Sequence, residues 1–422
     1  MKRLLILAMM MVSAQLVSAQ GIDEIRNLAI LKQNDKAKEA VDKYLSVEKN
    51  AKKPDGWFYK GYILNEMSKD PAKTQDESSA LKLEALETFK KYRSIDPKAV
   101  LMEEQTNSPY FDIYSGFASD LGVKAYQDKN FAKAAEYFAK ALDVHDYVYS
   151  LNIAGNNGFK FSALDTTLVL YTAIAAGEAK NSDMSITYYR KLIDANIAGE
   201  QYVDVYQQVA EHYKSKKDHA NLIAILEKAR QLYPANTEYW IALEIEDATA
   251  DVEKPALFQK YDELAAKFPN NYTIYYNQAV EIFRYVYSEE AKGQNTNDLK
   301  AKLTDCLNKS IAIKSTVDAN FLMANFLYNY SIDISDEAKK IKGPKPDDLK
   351  KKKEMNERST KVMNDAIPYA EKVVELFKAV AKPKSQDKIN NRQALILLRN
   401  IYEVKKDQVK ADMYDKLSKE AN

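Results

Sequence analysis

The residue types that most often carry chemistry are few in this chain. Histidine occurs three times, at His145, His212 and His219, and cysteine once, at Cys306. His212 and His219 are separated by a Lys-Lys-Asp sequence that predicts a turn rather than a continuous helix. None of the histidines has a second His or Cys at a spacing typical of metal ligands. We therefore predict no metal site and interpret the histidines as surface or interfacial residues.

Sequence motifs of the common enzyme classes are also missing. There is no Gly-rich phosphate loop and no Gly-x-Ser-x-Gly elbow. Cys306 lies beside Leu303 and Leu307 at helical spacing, which favours a small buried side chain over a reactive thiol. We therefore predict that the protein is not an enzyme, has no catalytic residues and requires no cofactor.

The charge balance argues against nucleic acid as a partner. The chain has 62 Lys and Arg residues against 61 Asp and Glu, a formal net charge of +1. A phosphate backbone is held by an excess of basic residues, which is absent here. One lysine run, Lys350 to Lys353, could attract an anionic surface, but acidic residues flank it and nearly cancel its field: Asp347, Asp348, Glu354 and Glu357. We interpret this run as a solvated surface.

Residues 203–234 predict two amphipathic helices joined by a turn. Apolar residues fall on one side of the first helix: Tyr206, Val209, Ala210 and Tyr213. A charged turn interrupts the pattern, which then resumes on a second helix at Leu222, Leu226 and Ala229. Pro234 follows, and proline cannot continue a helix beyond its first turn. The segment therefore encodes a helix, a turn and a second helix with facing apolar sides.

Related units recur along the sequence. Trp240 repeats the position of Tyr206 after 34 residues, and similar pairs run from Leu28 to Tyr414. The turns in 286–299 and 331–362 are long and polar, and we interpret them as insertions, the second as a solvated excursion. Residues 146–165 contain Gly and Asn without helical periodicity. We interpret that segment as an irregular joint between repeat arrays at 20–145 and 166–422.

The unit resembles the tetratricopeptide repeat (TPR). The shared features are an aromatic residue, an apolar-small pair and a second aromatic residue on helix one, then small or apolar residues and a proline on helix two. The resemblance implies an all-α fold, an α-solenoid of about nine helix-turn-helix repeats forming a superhelix. It also implies that Gly122 and Ala229 lie where helices approach closely. Repeats of this family hold other proteins, so the expected partner is a protein or peptide.

A binding groove is expected along the first helices of the repeats, on the side not used for packing. The central unit would present a polar stripe of Asp204, Gln207, Glu211 and Lys214. The later units would present an aromatic stripe of Tyr276, Phe283, Phe326 and Tyr330. Equally, terminal helices or the insertion could cover these aromatic residues as ordinary core. Both alternatives remain open at this point.

The N-terminus predicts export. Lys2 and Arg3 precede an apolar run from Leu4 to Val12, and small residues lead to Ala19, so residues 1–19 are typical of a secretory signal peptide. The run is too short for a lasting membrane anchor. The mature chain is therefore expected to be periplasmic or secreted, without an integral membrane anchor. The SAQ ending and the repeats together resemble secreted TPR proteins of Bacteroidetes-type bacteria.

These observations favour a non-enzymatic interaction scaffold in the bacterial cell envelope. The alternative is a glycan-binding or glycan-processing accessory protein, because some envelope sugar-binding proteins also contain such repeats. Those resemble lipoproteins with a leading Cys and Trp-rich loops, whereas this chain has two Trp and no Cys near the cleavage point. The sequence identifies neither the partner nor the oligomeric state.

Overall fold

The structure, a computed structural model, describes residues 21–343 and 345–421. The predicted signal peptide and its cleavage point lie outside the described residues. Every regular element in the described part of the chain is helical. The chain divides into two compact units, one ending at Pro234 and one beginning at Ala235. The boundary therefore falls at the proline that ends the central repeat, and the segment 146–165 lies inside the first unit.

The first unit contains α1 (21–30), α2 (Asn34–Leu45), α3 (Glu48–Ala51), α4 (Pro54–Met67), α5 (Gln75–Ile95), α6 (Val100–Glu104), α7 (Ser108–Ser115), α8 (Lys124–Gln127), α9 (Phe131–Ser150), α10 (Thr166–Glu178), α11 (Ser182–Asp194), α12 (Val203–Ser215) and α13 (His219–Leu232). A π-helix, Gly116–Val123, joins α7 to α8. The second unit contains α14 (Thr237–Thr249), α15 (Ala256–Lys267), α16 (Tyr272–Val286), α17 (Asn297–Ile313), α18 (Val317–Lys340), α19 (Pro346–Ala379), α20 (Ser385–Val404) and α21 (Gln408–Glu420).

Neighbouring helices pack against each other in sequence order. In the first unit α4 packs on α5, α10 on α11 and α12 on α13, while α9 and α10 link successive pairs. In the second unit α16 packs on α17, α18 on α19 and α20 on α21, and α19 also contacts α20. An array in which each helix pair contacts the preceding and following pairs is a solenoid. The predicted all-α solenoid of TPR-like helix pairs is therefore confirmed.

The same short turn recurs between paired helices. A lysine with positive φ follows one helix, and an Asn or Asp side chain then caps the next: Lys129-Asn130, Lys180-Asn181, Lys217-Asp218 and Lys406-Asp407. The N–H of each capping residue also donates to a carbonyl five positions earlier, at 2.8 to 2.9 Å. Such turns satisfy backbone groups at both helix ends. The turn predicted at residues 216–218 is thus confirmed.

Small residues allow the closest helix contacts. A Cβ atom added to Gly122 would lie 2.4 Å from the ring of Phe138, and one added to Gly61 would lie 2.6 Å from the ring of Phe89. Ala229 has no exposed surface. The predicted close approach is confirmed at Gly122, where a larger side chain would collide with a core ring, and Ala229 is buried as predicted.

The region 331–362 differs from the expected solvated excursion. α18 continues to Lys340 and α19 begins at Pro346, so most of the segment extends two paired helices. Ile334, Ala338 and Ser359 are buried between them. These few buried residues form the contact between the two helices, although the polar residues around them suggested a loop. Two further boundaries also differ in detail: α9 continues past the predicted joint boundary to Ser150, and residues 287–296 form an irregular turn.

Candidate functional site

The predicted polar stripe lies on α12. Asp204 and Glu211 are exposed, and Gln207 and Lys214 are half-buried. Lys214 Nζ lies 3.7 Å from Glu211 Oε2, an ion pair of consecutive helical turns. Ion pairs of this kind at the surface contribute little to the free energy of unfolding. The stripe is accessible, and its role in partner binding stays a prediction.

The predicted aromatic stripe is not an open surface at its centre. Phe326 is only 1% exposed and packs in a core cluster with Met323 and Leu303, so its assignment as an exposed groove residue is wrong. The ring of Tyr330 stacks on Phe326 with centroids 5.8 Å apart. Its hydroxyl accepts a 2.6 Å hydrogen bond from Arg358 of α19. The lengthened α19 therefore supplies a partner to the side of α18 that was expected to face a ligand.

The other two members of the stripe are half-buried. The Tyr276 ring stacks on Tyr272 at 5.5 Å, and burial raises the pKa of its hydroxyl. Phe283 packs against Tyr287 at 5.0 Å and against the same core cluster as Phe326. The interpretation of the stripe as core thus accounts for its geometry better than an exposed groove does.

A different site stands out in the first unit. A pocket of about 730 Å³ opens between α7, the C-terminal part of α9 and the irregular segment 151–165. Its aromatic lining consists of Phe111, Tyr114, His145, Phe159 and Phe161. Aromatic residues concentrated around a concave site are typical of binding pockets. The sequence analysis described the segment only as a joint.

Local contacts tie the irregular segment to α7. Asn107, just before α7, donates its side-chain N–H to the Ala154 carbonyl at 2.9 Å. A Cβ atom added to Gly155 would lie 2.6 Å from the ring of Phe111, so only glycine fits beneath that ring. The Gly155 N–H donates to the Phe159 carbonyl at 2.8 Å, which closes a tight loop. This loop carries Phe159 and Phe161 into the pocket.

Phe161 is the centre of the aromatic lining. Its ring centroid lies 5.0 Å from Phe111, 4.7 Å from Tyr114 and 4.7 Å from His145. Phe159 lies 5.6 Å from Phe161 but is 56% exposed, so it stands at the rim. A large ring left in water at the mouth of a pocket is a common feature of recognition surfaces.

Tyr114 and Asp165 fix one side of the pocket. The Tyr114 hydroxyl donates to Asp165 Oδ2 at 2.5 Å, and Asp165 Oδ1 accepts the Leu168 N–H at 2.9 Å as the cap of α10. Burial, then the bond to Asp165, raises the pKa of the Tyr114 hydroxyl. The Asp165 carboxylate is therefore held in place at the wall of the pocket.

His145 is the unusual polar group of the pocket. The ring is 1% exposed, and Nδ1 lies 2.9 Å from Asp146 Oδ1. A carboxylate only accepts, so Nδ1 carries a proton, and in the neutral imidazole of this tautomer Nε2 is the acceptor. Among the described residues no group bonds to Nε2, which is buried. An unsatisfied buried polar atom costs about 1–3 kcal/mol and is rare without a functional reason.

One sequence signal could have located this pocket. Phe159 and Phe161 are two aromatic residues placed in a Gly- and Asn-containing segment that lacks helical periodicity. Such residues cannot belong to a helical core stripe, so they must pack elsewhere or meet a partner. His145 is buried and packs against Phe161 and Tyr149, so its interpretation as a surface residue is wrong.

Other candidate chemistry is weakly developed in the described part of the chain. Cys306 is buried with Sγ 3.2 Å from Gln278 Oε1, and burial raises the pKa of its thiol to about 12, which confirms an unreactive core cysteine. Residues 21–343 and 345–421 hold no group of three potential metal-ligating side chains. In those same residues no helix is both long and apolar enough to cross a membrane.

Comparisons with known proteins return structures rather than families. No family model and no curated protein matches the chain. Among solved structures, the human IFIT1 dimer with m7Gppp-AAAA is 16% identical, covering 86% of this chain and 72% of that one, with a TM-score of 0.28. Naa15/Naa10 bound to HypK-THB is 15% identical over 96% and 58%, with a TM-score of 0.27. Yeast Tom70 is 10% identical over 97% and 92%, with a TM-score of 0.22. At these TM-scores the fold assignment rests on the helix pairs of this chain.

Proposed function

We propose that this protein is a non-enzymatic interaction scaffold that binds a protein or peptide partner in the bacterial cell envelope. The observation that carries the proposal is the aromatic pocket of about 730 Å³ with Phe159 exposed at its rim. Aromatic residues dominate the binding energy of many protein interfaces. A hydrogen bond and ring contacts tie the segment 151–165 to α7, and a lining ordered before binding loses less entropy on binding.

Location in the envelope rests on the sequence of residues 1–19. Their basic start, short apolar run and small residues before Gln20 favour export followed by cleavage. The mature chain would then act in the periplasm or outside the cell. Intact-mass spectrometry of envelope fractions tests this part separately, because a mass that retains residues 1–19 contradicts it.

The polar stripe on α12 has a secondary role in this proposal. Asp204 and Glu211 are exposed charges, and such charges influence the rate and orientation of association more than affinity. The aromatic pocket is instead expected to supply most of the affinity. The partner-binding surface is thus assigned to the first unit rather than to the aromatic stripe of the second.

The test is capture of partners from envelope extract by the mature chain, followed by affinity measurement with variants. Phe159→Ser should weaken binding at least tenfold, because interface aromatic residues often contribute 2 kcal/mol or more. Tyr171→Ser is a matched control, since Tyr171 is 50% exposed and lies outside the pocket. Circular dichroism verifies that both variants remain helical.

Two outcomes contradict the proposal. If Phe159→Ser binds the captured protein as tightly as the unmodified chain, the pocket is not the interaction site. If a glycan array instead shows saturable binding of one oligosaccharide family that Phe159→Ser abolishes, the glycan-binding alternative replaces the protein scaffold.

A further inference from the structure

The pocket also carries information about which chemical group it accepts. Its lining includes the rings of Phe111, Phe161 and Tyr114, and the Phe161 centroid lies 5.0 Å from that of Phe111 and 4.7 Å from that of Tyr114. The face of an aromatic ring is electron-rich and attracts cations positioned above it. Apolar ligands are also compatible with such walls, so the polar groups decide between the two.

Carboxylates outnumber cations around the pocket. Asp112 and Asp165 line it, and Asp146 is bonded to His145. Two lysines partly offset them: Lys69 Nζ lies 3.1 Å from Asp112, and Lys160, which lines the pocket, donates to Asn152 at 2.9 Å. Three carboxylates against two ammonium groups leave an excess of negative charge. An anionic ligand is disfavoured and a cationic one is attracted.

His145 adds a requirement for a hydrogen-bond donor. Its Nε2 offers a lone pair and has no partner among the described residues. An apolar ligand would leave this atom unsatisfied, whereas an ammonium or guanidinium N–H would satisfy it with a charge-assisted hydrogen bond. Because the ring is 1% exposed, the donor must reach the inner end of the pocket, as the tip of a long side chain does.

We propose that the pocket binds the side chain of a lysine or arginine of the partner protein, with its alkyl chain and cation packed against the aromatic lining and His145 Nε2 accepting an N–H. This inference rests on the proposed interaction function and names the group recognised. Phe159, at the rim, then contacts the neighbouring residues of the same partner segment.

The probes for a direct test are the N-acetyl methylamides of lysine, arginine, trimethyl-lysine and norleucine. The chain has three histidines, so a protein labelled at histidine Cε1 gives three resolvable NMR signals, assigned with His212→Gln and His219→Gln variants. The lysine and arginine probes should shift the His145 signal saturably. Trimethyl-lysine keeps the charge but lacks an N–H, so it should bind about tenfold more weakly.

Each alternative result overturns the inference. Norleucine shifting the His145 signal as strongly as lysine would mark an apolar pocket, and trimethyl-lysine binding as tightly as lysine would exclude the role of Nε2. No shift with either cationic probe, up to its solubility limit, also contradicts it. These comparisons use the unmodified mature chain, so they do not depend on a variant that folds.

A variant provides a second measurement. His145→Phe keeps an aromatic ring but removes the acceptor, and it should weaken lysine binding about tenfold. His212→Phe is the control, because His212 on α12 bonds to Ser182 and lies outside the pocket. Unchanged lysine affinity in a folded His145→Phe variant contradicts the inference.

The proposed interaction function and the proposed recognition of a cationic side chain can be contradicted independently. If Phe159→Ser loses the captured partner while no cationic probe binds, the interaction function stands and the cation assignment falls. If Phe159→Ser retains the partner, the proposed function falls whatever the probes do.

Discussion

Lys82 shows how one buried residue shapes the first unit. Its side chain is 2% exposed, and its ammonium donates to Ser68 Oγ at 3.1 Å without a carboxylate partner among the described residues. A Cβ atom added to Gly116, the first residue of the π-helix, would lie 2.3 Å from Nζ, so the absence of a side chain there leaves space for the ammonium group. Burial lowers the pKa of Lys82 below its ordinary value of 10.5. The charge therefore opposes folding at neutral pH.

Lys82→Met should stabilise the first unit. The apolar side chain fills the same volume without a desolvated charge, and a gain of about 1 kcal/mol corresponds to roughly 2–4 °C in a unit of this size. Lys124→Met is the control, because Lys124 is exposed and, within the described part of the chain, forms its ion pair with Asp128 one helical turn away. Thermal unfolding followed by circular dichroism measures both, and an unchanged or lower midpoint for Lys82→Met contradicts the account.

The pH dependence provides a separate check on Lys82. At pH values below the lowered pKa of Lys82, both the folded and the unfolded chain hold the proton, so the free-energy cost of burying the charged ammonium does not change with pH. Between that pKa and 10.5, the unfolded chain stays protonated while the folded chain does not, so the contribution of Lys82 to stability rises with pH. Lys82→Met should lose this rise, and the difference between the two proteins should narrow as pH increases.

At the scale of elements, the recurrent lysine turn joins the two helices of several pairs. Lys129 has φ 59° before the capping residue Asn130, whose N–H donates to the Ala125 carbonyl at 2.8 Å. The left-handed conformation is unfavourable for residues with a Cβ atom and free for glycine. The turn is therefore formed at some cost in backbone energy, which the cap and the packed helices offset.

Replacing that lysine with glycine tests the turn. Lys129→Gly should stabilise the protein by about 0.5–1 kcal/mol, because relief of left-handed strain exceeds the added entropy of the unfolded chain. Ala139→Gly, at a half-buried position in the middle of α9, should destabilise it by about 0.5–1 kcal/mol. Urea unfolding of both variants checks the opposite signs. If both variants are destabilised equally, the turn assignment is wrong.

The helix pairs could be predicted because their signal is local. Tyr206, Val209 and Ala210 recur at helical spacing, and all three are buried as that spacing implies. The extension of α18 and α19 was missed because its buried residues are sparse among lysines and acids. Long helices of this kind are decided by the partner helix rather than by their own periodicity.

The two aromatic residues of the irregular segment were visible in the sequence, but the contacts that form the pocket could not be predicted, because they join residues that are distant in sequence. Phe111 meets Phe161 and Tyr114 meets Asp165 across about fifty positions, and irregular backbone brings them together. Phe326 was misassigned for a related reason. A helix stripe offset from the packing residues can face either solvent or a third helix, and only the tertiary contacts of α18 with its neighbours decide which.

At the scale of the molecule, the proposed partner-binding surface lies in the first unit rather than in the second. The second unit buries Phe326 and engages Tyr330 with Arg358, so its aromatic residues mainly stabilise its own core. The first unit exposes Phe159 and leaves His145 Nε2 without a described partner. Under the proposed function, the repeats serve as a rigid frame and the irregular segment inserted between α9 and α10 carries the specificity.

Hydrogen exchange with and without the captured partner tests that assignment most directly, because protection reports which backbone segments are covered. The account predicts that the partner slows exchange at residues 151–165 and in α7, with little change in α16 and α18. The Phe159→Ser variant, mixed with the same protein, should lose this protection. Protection confined to α16 and α18, with residues 151–165 unchanged, would contradict the account and return the binding surface to the second unit.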